Sequence, residues 1–499
     1  MGVARLVSVD ADSDSGKLPD VVLFHLDNRY NQRVIDTQYS SLDSALQATP
    51  VGGVLEIRSA RTVAAPFVVN KACQIVMAQA GSITTTANIS AVQVPADDGL
   101  ITGGSIVGPG SGTAGVGTAI EVKSAKRTRI VGGNISGFSK YGILVDTVSD
   151  FLVQGCDLSD IAYGGVMMLS CTSGTVERNR VRNITQPSGF VNSYGIAATR
   201  DSSKTLAASP RSAQILISNN LIDGVPKWEG IDTHAGTEIT ITNNVVRNTN
   251  VGIALVPGVG TDGADLYGPQ NCLVSGNVID STVNDGSRSS GVQIVGAGIT
   301  LGSPIEAASG CVLTNNTARR HGKEAGGAND GAITMYNTTG AVISANTVTE
   351  GGVRGVHVYH DNQRATIFGN TLTDSWSDTV AYSAAIHISS TFNTVSIGMN
   401  VAGRGTKSAA KVNDRGLFVA TGTSNTITDL SNDFDSCTTP VADTGNVSSI
   451  QQRAKKVGYF GATPVVRPSG TPSAATDATT TQALVNDLRA KLISLGLIG

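Results

Sequence analysis

The stretch GIDTHAGTEITITNNVVRNTNV, residues 230–251, contains the pattern on which most of the chain is built. A glycine opens a short apolar segment, an alternating strand follows, and an asparagine pair closes that strand. A third apolar segment then leads to the next glycine, Gly252. Alternation of apolar and polar residues is typical of a strand with one buried face. The stretch therefore predicts one coil of a repeating β structure.

An asparagine followed two residues later by an aliphatic residue recurs after the alternating strands. Gly133 and Cys156 occupy the same slot in two earlier coils. The marker asparagines are Asn179, Asn220, Asn244, Asn277, Asn346 and Asn370, with weaker examples at Asn316, Asn400 and Asn432. The markers recur at a basic spacing that insertions lengthen in some coils. This pattern predicts a solenoid with loops of variable length. Stacked asparagine amides can hydrogen bond from coil to coil at one turn.

A second mark, Gly-aliphatic-x-aliphatic, opens another strand in each coil. It begins at Gly142, Gly165, Gly195, Gly230, Gly252, Gly291, Gly355 and Gly416. The composition agrees with many strands and tight turns, since the chain has 58 glycines and only 15% charged residues. No segment keeps a helical period over a long stretch, which excludes helical-repeat architectures.

Charge and hydropathy exclude two classes of partner. The net charge is −3 and no basic tract is present, so we expect no nucleic-acid partner. No apolar run approaches the roughly 20 residues of a membrane span, and the first residues lack the pattern of a secretory signal.

The six cysteines are scattered singly, which predicts that they are buried as small apolar residues. We expect Cys272 and Cys311 to be stacked neighbours in the core.

Before the repeats, Ser41, Leu42, Ala45 and Leu46 predict a short helix that covers the open end of the sheets. The cap helix, the asparagine ladder and the coil length resemble the right-handed parallel β-helix of the pectate-lyase-like superfamily. The resemblance implies an all-β fold and is nearly silent about the reaction.

The tail of the chain differs from the repeats. A linker rich in Pro, Ser, Thr and Ala precedes a helix in which Val485, Leu488, Leu492 and Leu495 form a two-heptad apolar seam. Two heptads are marginal alone, so we expect this helix to associate with copies of itself or to dock on the body. The predicted organisation is an N-terminal attachment segment with the start of the cap (1–40), the β-helix (41–445), a linker (446–480) and an oligomerising helix (481–499).

The segment VGYFGATPVVRP, followed by the helix ALVNDLRAKLISLGLI, resembles the C-terminus of tailed-bacteriophage structural and fibre proteins. This resemblance covers about 45 residues. It implies a virion protein of the tail-fibre or tailspike type, a homotrimer, and contacts with other virion proteins through the N-terminal segment. It also implies a location in a tail or surface appendage, which agrees with the missing secretion signal.

Residues whose side chains are predicted to face away from the core can be compared from coil to coil, and this comparison indicates candidate catalytic residues. Two and four residues after the marker glycine, most coils carry small or apolar residues, whereas one coil carries Asp232 and His234. A carboxylate beside an imidazole can transfer protons, and a second carboxylate would complete an acid/base pair. We call these residues and their neighbours the first patch. Its members are Asp232, His234 and Glu229, predicted to be catalytic, and Trp228, Arg200 and Asp201, predicted to bind substrate.

The segment EGIDTH is also partly similar to the Asp-Pro-His-Asp segment of β-helical alginate C5-epimerases. That resemblance implies catalytic roles for Asp232 and His234. Thr233 and Ala235 replace the family's Pro and final Asp, which leaves epimerase activity in doubt. The non-catalytic alternative is that Asp232 and His234 point outward and pair only with each other and with neighbouring loops.

A second patch of outward residues lies several coils further on. It predicts either a metal-binding, proton-binding or glycan-binding surface or an ordinary stack of surface aromatic residues. Its members are His357, Tyr359, His360, Asp361, His387 and Tyr336, of which His357, Tyr359, His387 and Tyr336 are predicted to contact substrate. Long insertions at 202–213, 257–270, 280–290, 302–309 and 321–330 predict loops on the solenoid wall, where grooves form. Asp262 and Asp265 could bind Ca²⁺, but solvated loop charge is the better interpretation.

Three functions fit these features. The first is a phage virion protein that binds host-surface polysaccharide, with hydrolysis or β-elimination left open. The second is a purely structural or adhesive virion protein. The third is a bacterial β-helical carbohydrate lyase or epimerase. No metal site and no cofactor are predicted, because no nucleotide-binding, serine-hydrolase or zinc-protease motif occurs.

Overall fold

A computed structural model shows that the chain is a parallel β-solenoid of about 12 turns. Each coil adds one strand to sheet 1, then to sheet 2, then to sheet 3, as in Leu152–Gln154, Asp157–Ile161 and Gly164–Leu169. The structure describes residues 32–258, 267–280, 297–303, 306–321, 331–375, 383–390, 392–403, 415–420, 425–443, 449–452, 456–457, 465–466 and 478–494.

Every strand pairing within the three sheets is parallel. Sheet 1 contains Arg33–Ile35, Val54–Ile57, Arg129–Val131, Leu152–Gln154, Thr175–Glu177, Leu216–Ser218, Thr240–Thr242, Leu273–Ser275, Val312–Thr314, Val342–Ser344, Ala365–Phe368, Thr394–Gly398, Thr426–Leu430 and Ser449–Gln452. Sheet 2 contains Ala60–Val63, Asn134–Phe138, Asp157–Ile161, Arg180–Ile184, Val278–Asp280, Thr317–Arg319, Thr347–Thr349, Thr371–Thr373 and Val401–Gly403.

Sheet 3 carries the candidate site. It contains Phe67–Val68, Val92–Val94, Thr118–Lys123, Tyr141–Asp146, Gly164–Leu169, Tyr194–Thr199, Ile299–Leu301, Ile333–Tyr336, Arg354–Tyr359, Ala384–Ser389, Arg415–Val419 and Thr439–Asp443. Four longer strands bend across two sheets: Gln74–Thr85 and Leu100–Val107 across sheets 1 and 2, and Leu221–His234 and Val245–Val256 across sheets 2 and 3. Two short pairs lie outside the three sheets: Ala308–Ser309 with Thr338–Thr339, and Lys456–Val457 with Val465–Val466.

The predicted cap helix is confirmed as Leu42–Ala48. Ser41 caps it through a capping box with Ser44, which satisfies free N–H groups at the helix start. Leu42, Ala45 and Leu46 are buried in the same core cluster as the first coils. The solenoid begins earlier than predicted, because Arg33–Ile35, preceding the 3-10 turn Asp36–Gln38, already pairs with Val54–Ile57.

The marker glycines of the described chain occupy the corner between sheets 2 and 3; Gly291 lies outside the described residues, and Gly298 is the glycine in register with Gly252. A Cβ on Gly230 would lie 2.5 Å from the Val246 side chain, and a Cβ on Gly195 would lie 2.7 Å from that of Ile222. Both neighbours belong to the central apolar core. Real Cβ contacts are never this close, so only glycine lets the backbone turn the corner against the core. This packing explains why the Gly-aliphatic mark repeats in successive coils.

The asparagine ladder is confirmed at the turn between sheets 1 and 2. Nδ2 of each ladder residue donates to Oδ1 of the next, at 3.0 Å for the pair Asn220–Asn244. The ladder runs through Asn179, Asn220, Asn244, Asn277, Asn316, Asn346, Asn370, Asn400 and Asn432. The backbone N–H of Cys156 donates to Asn179 Oδ1, so Cys156 occupies the predicted slot. The weaker markers are therefore full members of the ladder.

A second ladder, which the sequence analysis did not predict, lies at the turn between sheets 3 and 1. Asn362 donates to Asn393, and Asn393 donates to Asn425.

All six cysteines are buried and none forms a disulfide, and the strands that follow Cys272 and Cys311 are paired. The C-terminal helix is Ala478–Ser494. The exposed fractions of Val485 and Leu488 on this helix are 52% and 53%. Leu495, the last predicted seam residue, lies outside the described part of the chain.

Candidate functional site

The strand Leu221–His234 brings three ionisable residues to one place on the outer face of sheet 3. Strict alternation would put Glu229 and Asp232, three residues apart, on opposite faces. Gly230 and Ile231 both face the core, however, so the alternation slips by one residue at the corner. Glu229 therefore emerges on the same side as Asp232 and His234. One ligand atom from each of the three lies within 4.8 Å of the others.

Asp232 lies at the bottom of this group. Its side chain is 1% exposed, and neither carboxylate oxygen accepts a hydrogen bond from an N–H or hydroxyl group of the described chain. Oδ2 lies 3.4 Å from Nε2 of His234, whose side chain is 33% exposed. Glu229 is also buried, with Oε2 lacking a hydrogen bond. Buried carboxylates without donors are costly, so this arrangement is unusual for a surface ion pair.

Burial controls the protonation of the three groups. It raises the pKa of Glu229 to about 7. Burial and the neighbouring Glu229 carboxyl also hold the pKa of Asp232 well above its ordinary value. Burial lowers the pKa of His234 to about 4, so its imidazole is neutral near pH 7. The group can therefore hold a proton on the carboxyl pair beside a neutral imidazole, which is a usual requirement of acid/base chemistry.

A cleft of about 250 Å³ opens beside His234. Three tyrosines from successive coils form its aromatic wall: the ring centroids of Tyr163 lie 5.6 Å from those of both Tyr141 and Tyr194. Asn192 joins two of them, since it accepts from the Tyr163 hydroxyl and donates to that of Tyr194. The Tyr194 and His234 rings meet edge to face at 6.2 Å. The complete lining is Tyr141, Tyr163, Met167, Leu169, Asn192, Tyr194, Thr199, Arg200, Asp201, Ser202, His234 and Gly258.

Sequence reasoning missed the tyrosine wall, although a signal for it exists. Tyr141, Tyr163 and Tyr194 each lie one or two residues before a marker glycine in consecutive coils, and Glu229 follows Tyr194 in the same column. The residue before the glycine is turned outward by the corner, as it is for Glu229. The outward columns two and four residues after the glycine do not contain these tyrosines or Glu229. Comparison of the two positions before the glycine would have found both the three tyrosines and Glu229.

The substrate-binding residues predicted in the first patch lie around the cleft but are held by other contacts. Arg200 is buried and its Nε donates to the carbonyl oxygen of Ser209 at 2.8 Å. Asp201 accepts from the Ser203 hydroxyl and pairs with Lys204, and these contacts lower its pKa to about 2. Arg200 and Asp201 thus shape the loop that forms one wall of the cleft. Trp228 is 38% exposed and does not line the cleft.

The second patch is a stacked column, and two of its six residues are not at the surface. His387 stacks between His357 and Phe418, with ring centroids 5.1 and 4.9 Å apart. His357 and His387 are buried, so the expectation that they are surface aromatics is wrong. Arg354 Nε donates to His387 Nδ1 at 2.6 Å, which keeps that nitrogen unprotonated. Burial first, then the charges of His357, Arg354 and Arg415, lower the pKa of His387 to about 2.

Tyr336 and Tyr359 are partly exposed and meet edge to face at 4.6 Å. His360 Nε2 lies 3.3 Å from Asp361 Oδ2 at the rim of the same column. Contact of His357, Tyr359, His387 and Tyr336 with substrate stays a prediction.

Asp262 and Asp265, the weak Ca²⁺ candidates, lie outside the described residues. Thr233, which stands where the epimerases have Pro, is buried and donates to the carbonyl oxygen of Ala198.

Residues 118–305 match the family model described as the right handed beta helix region. This stretch includes the tyrosine wall, the Glu229–Asp232–His234 group and the first half of the asparagine ladder. The match supplies the handedness that strand pairing alone does not state, and the predicted fold is confirmed. The chain is a right-handed parallel β-helix.

The β-helix resembles several solved structures at low sequence identity. The tailspike protein of phage Dettilon is 14% identical, with a TM-score of 0.43 over 83% of this chain and 68% of that one. The tailspike of E. coli bacteriophage HK620, solved with a pentasaccharide, is 12% identical, with a TM-score of 0.42 over 76% and 60%. A surface adhesin of Streptococcus pneumoniae is 13% identical, with a TM-score of 0.42 over 86% and 93%. Similarities at this level carry no information about substrate.

No curated protein sequence matches the chain. Among the described residues of the β-helix and its tail, neither helix combines the length and the apolar character needed to cross a bilayer. The functional argument therefore depends on the site itself.

Proposed function

We propose that this protein is a tailed-phage virion component that binds a bacterial surface polysaccharide in the cleft beside His234. The cleft supports this proposal, because three tyrosines and Asn192 form a wall with apolar ring surface and polar edges. Sugar rings present apolar C–H faces and hydroxyl edges, which such walls match. The virion assignment depends on the resemblance of the C-terminal segment and helix to phage fibre proteins.

Turnover at this cleft would depend on His234. Asp232 is fully buried, so it cannot attack a sugar or take a proton from one directly. His234 is the member of the group that lines the cleft, and Asp232 lies behind its Nε2. We therefore assign proton transfer to His234, orientation of its ring to Asp232, and storage of a proton to the pair of Asp232 and Glu229. This assignment differs from two carboxylates that flank the bond from opposite sides.

Adhesion without turnover is the second candidate, and the burial of Asp232 favours it. Glycoside hydrolysis by a carboxyl pair needs both groups in contact with the substrate bond. Here both carboxyl groups lie beneath the protein surface. Asp201, the carboxylate that lines the cleft, is paired with Lys204, and a cleft that binds glycan without an unpaired acid would act as an adhesin.

One experiment tests both candidates. The protein is applied to an array of bacterial capsular and O-antigen polysaccharides, and bound glycans are then incubated with it in solution. Release of reducing ends indicates hydrolysis, and ultraviolet absorbance of unsaturated products indicates elimination. His234→Gln should abolish either product, while Asp361→Asn, a change in the other His–Asp pair, should not. Binding without product supports the adhesin, and absence of binding to every glycan contradicts the proposal.

A further inference from the structure

We propose that Glu229, Asp232 and His234 form a binding site for a divalent transition-metal ion of the zinc type. The inference goes beyond glycan binding and does not depend on it. It rests on the convergence of one ligand atom from each residue within 4.8 Å and on the missing hydrogen bonds of the buried carboxylates.

The separation of Asp232 and His234 fits a tetrahedral ion. Zinc binds imidazole nitrogen and carboxylate oxygen at about 2.1 Å, so two tetrahedral ligands lie roughly 3.4 Å apart. Asp232 Oδ2 and His234 Nε2 are separated by 3.4 Å. This separation is too long for a good hydrogen bond, which is shorter than about 3.2 Å. The pair is therefore spaced for a shared ion rather than for direct contact.

The unsatisfied oxygens also point to a ligand. Both oxygens of Asp232 and Oε2 of Glu229 are buried and accept no hydrogen bond from an N–H or hydroxyl group within the described chain. Buried charges in proteins are normally paired or coordinate metals. A cation between these residues would take one oxygen from each carboxylate and one nitrogen from the imidazole.

The donor set indicates the kind of ion. Calcium takes six to eight oxygen ligands, whereas this site offers two carboxylates and one imidazole nitrogen. Imidazole suits zinc and its neighbours in the first transition series. Three protein ligands leave a fourth position, and the exposed edge of His234 is the side from which a small ligand could reach it.

The sequence alone does not reveal this site, because Glu229 and Asp232 lack a metal-ligand spacing on a regular strand. The slip of alternation at Gly230 and Ile231 is what brings the two carboxylates together. Among the described residues, no other group of three His, Cys, Asp or Glu side chains converges in this way.

The test uses untagged full-length protein that has been stripped with a chelator. Equilibrium dialysis against ZnCl₂ and MnCl₂, followed by elemental analysis, should find one ion per chain, and the Tm should rise with the ion. Asp232→Asn, Glu229→Gln and His234→Gln should each weaken binding at least about tenfold. CaCl₂ at equal concentration should bind more weakly.

Asp361→Asn is the matched control. The pair His360–Asp361 has nearly the same separation, 3.3 Å, but does not belong to a group of three. This variant should bind the ion as the wild type does. Thermal unfolding in chelator shows that each variant is folded, so that loss of binding is not loss of structure. The inference is wrong if the wild type binds no ion, if Asp232→Asn binds it as tightly as the wild type, or if Asp361→Asn loses binding equally.

Failure of this test leaves glycan binding in the cleft untouched, since the two are measured separately. Ion binding and the proton-transfer role assigned to His234 compete, because an ion on Nε2 leaves the proton of the neutral ring on Nδ1, which can then no longer accept one. If both occur, addition of ZnCl₂ should inhibit release of glycan products.

Discussion

Oδ2 of Asp232 lies 3.4 Å behind Nε2 of His234, at a position where the carboxylate accepts no hydrogen bond from an N–H or hydroxyl group of the described chain. The protein thus keeps a buried acidic group that its own structure does not satisfy. Such groups reduce stability and are retained mainly where function requires them. The following predictions measure that cost and separate it from the roles of the surrounding residues.

Asp232→Asn should stabilise the chelated protein. At neutral pH the wild type must either protonate Asp232 or bury its charge, and asparagine removes that requirement. We expect a gain of about 1–3 kcal/mol in the free energy of unfolding, measured by urea titration. Asp361→Asn, on an exposed carboxylate, should change stability little. A loss of stability in Asp232→Asn would show that the carboxylate is satisfied after all.

Tyr163→Ala should weaken glycan binding by about tenfold, because it removes the central ring of the wall and its hydrogen bond to Asn192. Isothermal titration with the glycan identified on the array provides the measurement. Tyr336→Ala removes a comparable ring from the second patch, in its own pair with Tyr359. Equal losses in both variants would mean that a long glycan spans both patches, and a loss only in Tyr336→Ala would place the binding site at the second patch.

Asn244→Ala should destabilise the β-helix by about 3 kcal/mol or more. The amide accepts from Asn220 and donates to the carbonyl oxygen of Ile217 and to Asn277, and several buried groups lose partners together. Asn243→Gly, at an exposed left-handed turn position next to it, is the control. Comparable Tm values for the two variants would contradict a stabilising role of the ladder.

The stability of the protein should fall as the pH drops below about 6.5, partly through His387. Its pKa is lowered in the folded state, so the unfolded chain binds the proton more readily. The contribution is complete above 6.5 and decreases by about 1.4 kcal/mol per pH unit below it. His387→Gln should therefore show a shallower acid slope than the wild type in urea titrations from pH 7 to 5. Identical slopes for the two proteins would contradict the prediction.

Leu488→Asp should dissociate the oligomer that the C-terminal helix is proposed to form. Leu488 and Val485 are half exposed in the single chain, and association would cover them. Ala490→Asp introduces the same charge on the opposite side of the helix and should leave the oligomer intact. Sedimentation analysis of the full-length chain gives the masses. A monomeric wild type would disprove the proposed homotrimer.

Most of the fold could be predicted because its determinants repeat. Alternation, the marker glycines and the ladder asparagines occur in coil after coil, so an insertion in one coil does not hide the pattern. The second ladder at Asn362, Asn393 and Asn425 was missed because it spans only three coils. Asn362 also lacks the aliphatic residue used as the mark, although Asn393 and Asn425 are followed by Val395 and Ile427.

The site was predicted only in part, for a geometric reason. Asp232 and His234 are two residues apart on one strand, and simple alternation places them together. The convergence of Glu229 with them, and the tyrosine wall, both depend on the corner at the marker glycine. The burial of His357 and His387 depends on what packs over an outward face. The alternation of residues along a strand shows on which face of the sheet a side chain lies. It does not show which residues pack over that face.

The ladder has a consequence for how this protein can change. Successive ladder asparagines are separated by as few as 24 and as many as 41 residues, yet the amides remain about 3.0 Å apart. The difference in the number of residues between successive asparagines lies in the loops on the solenoid wall. A loop can therefore be lengthened, shortened or exchanged without moving the strands on either side. A lineage under pressure to recognise new surfaces could therefore replace one loop at a time while the scaffold and the other loops keep their geometry.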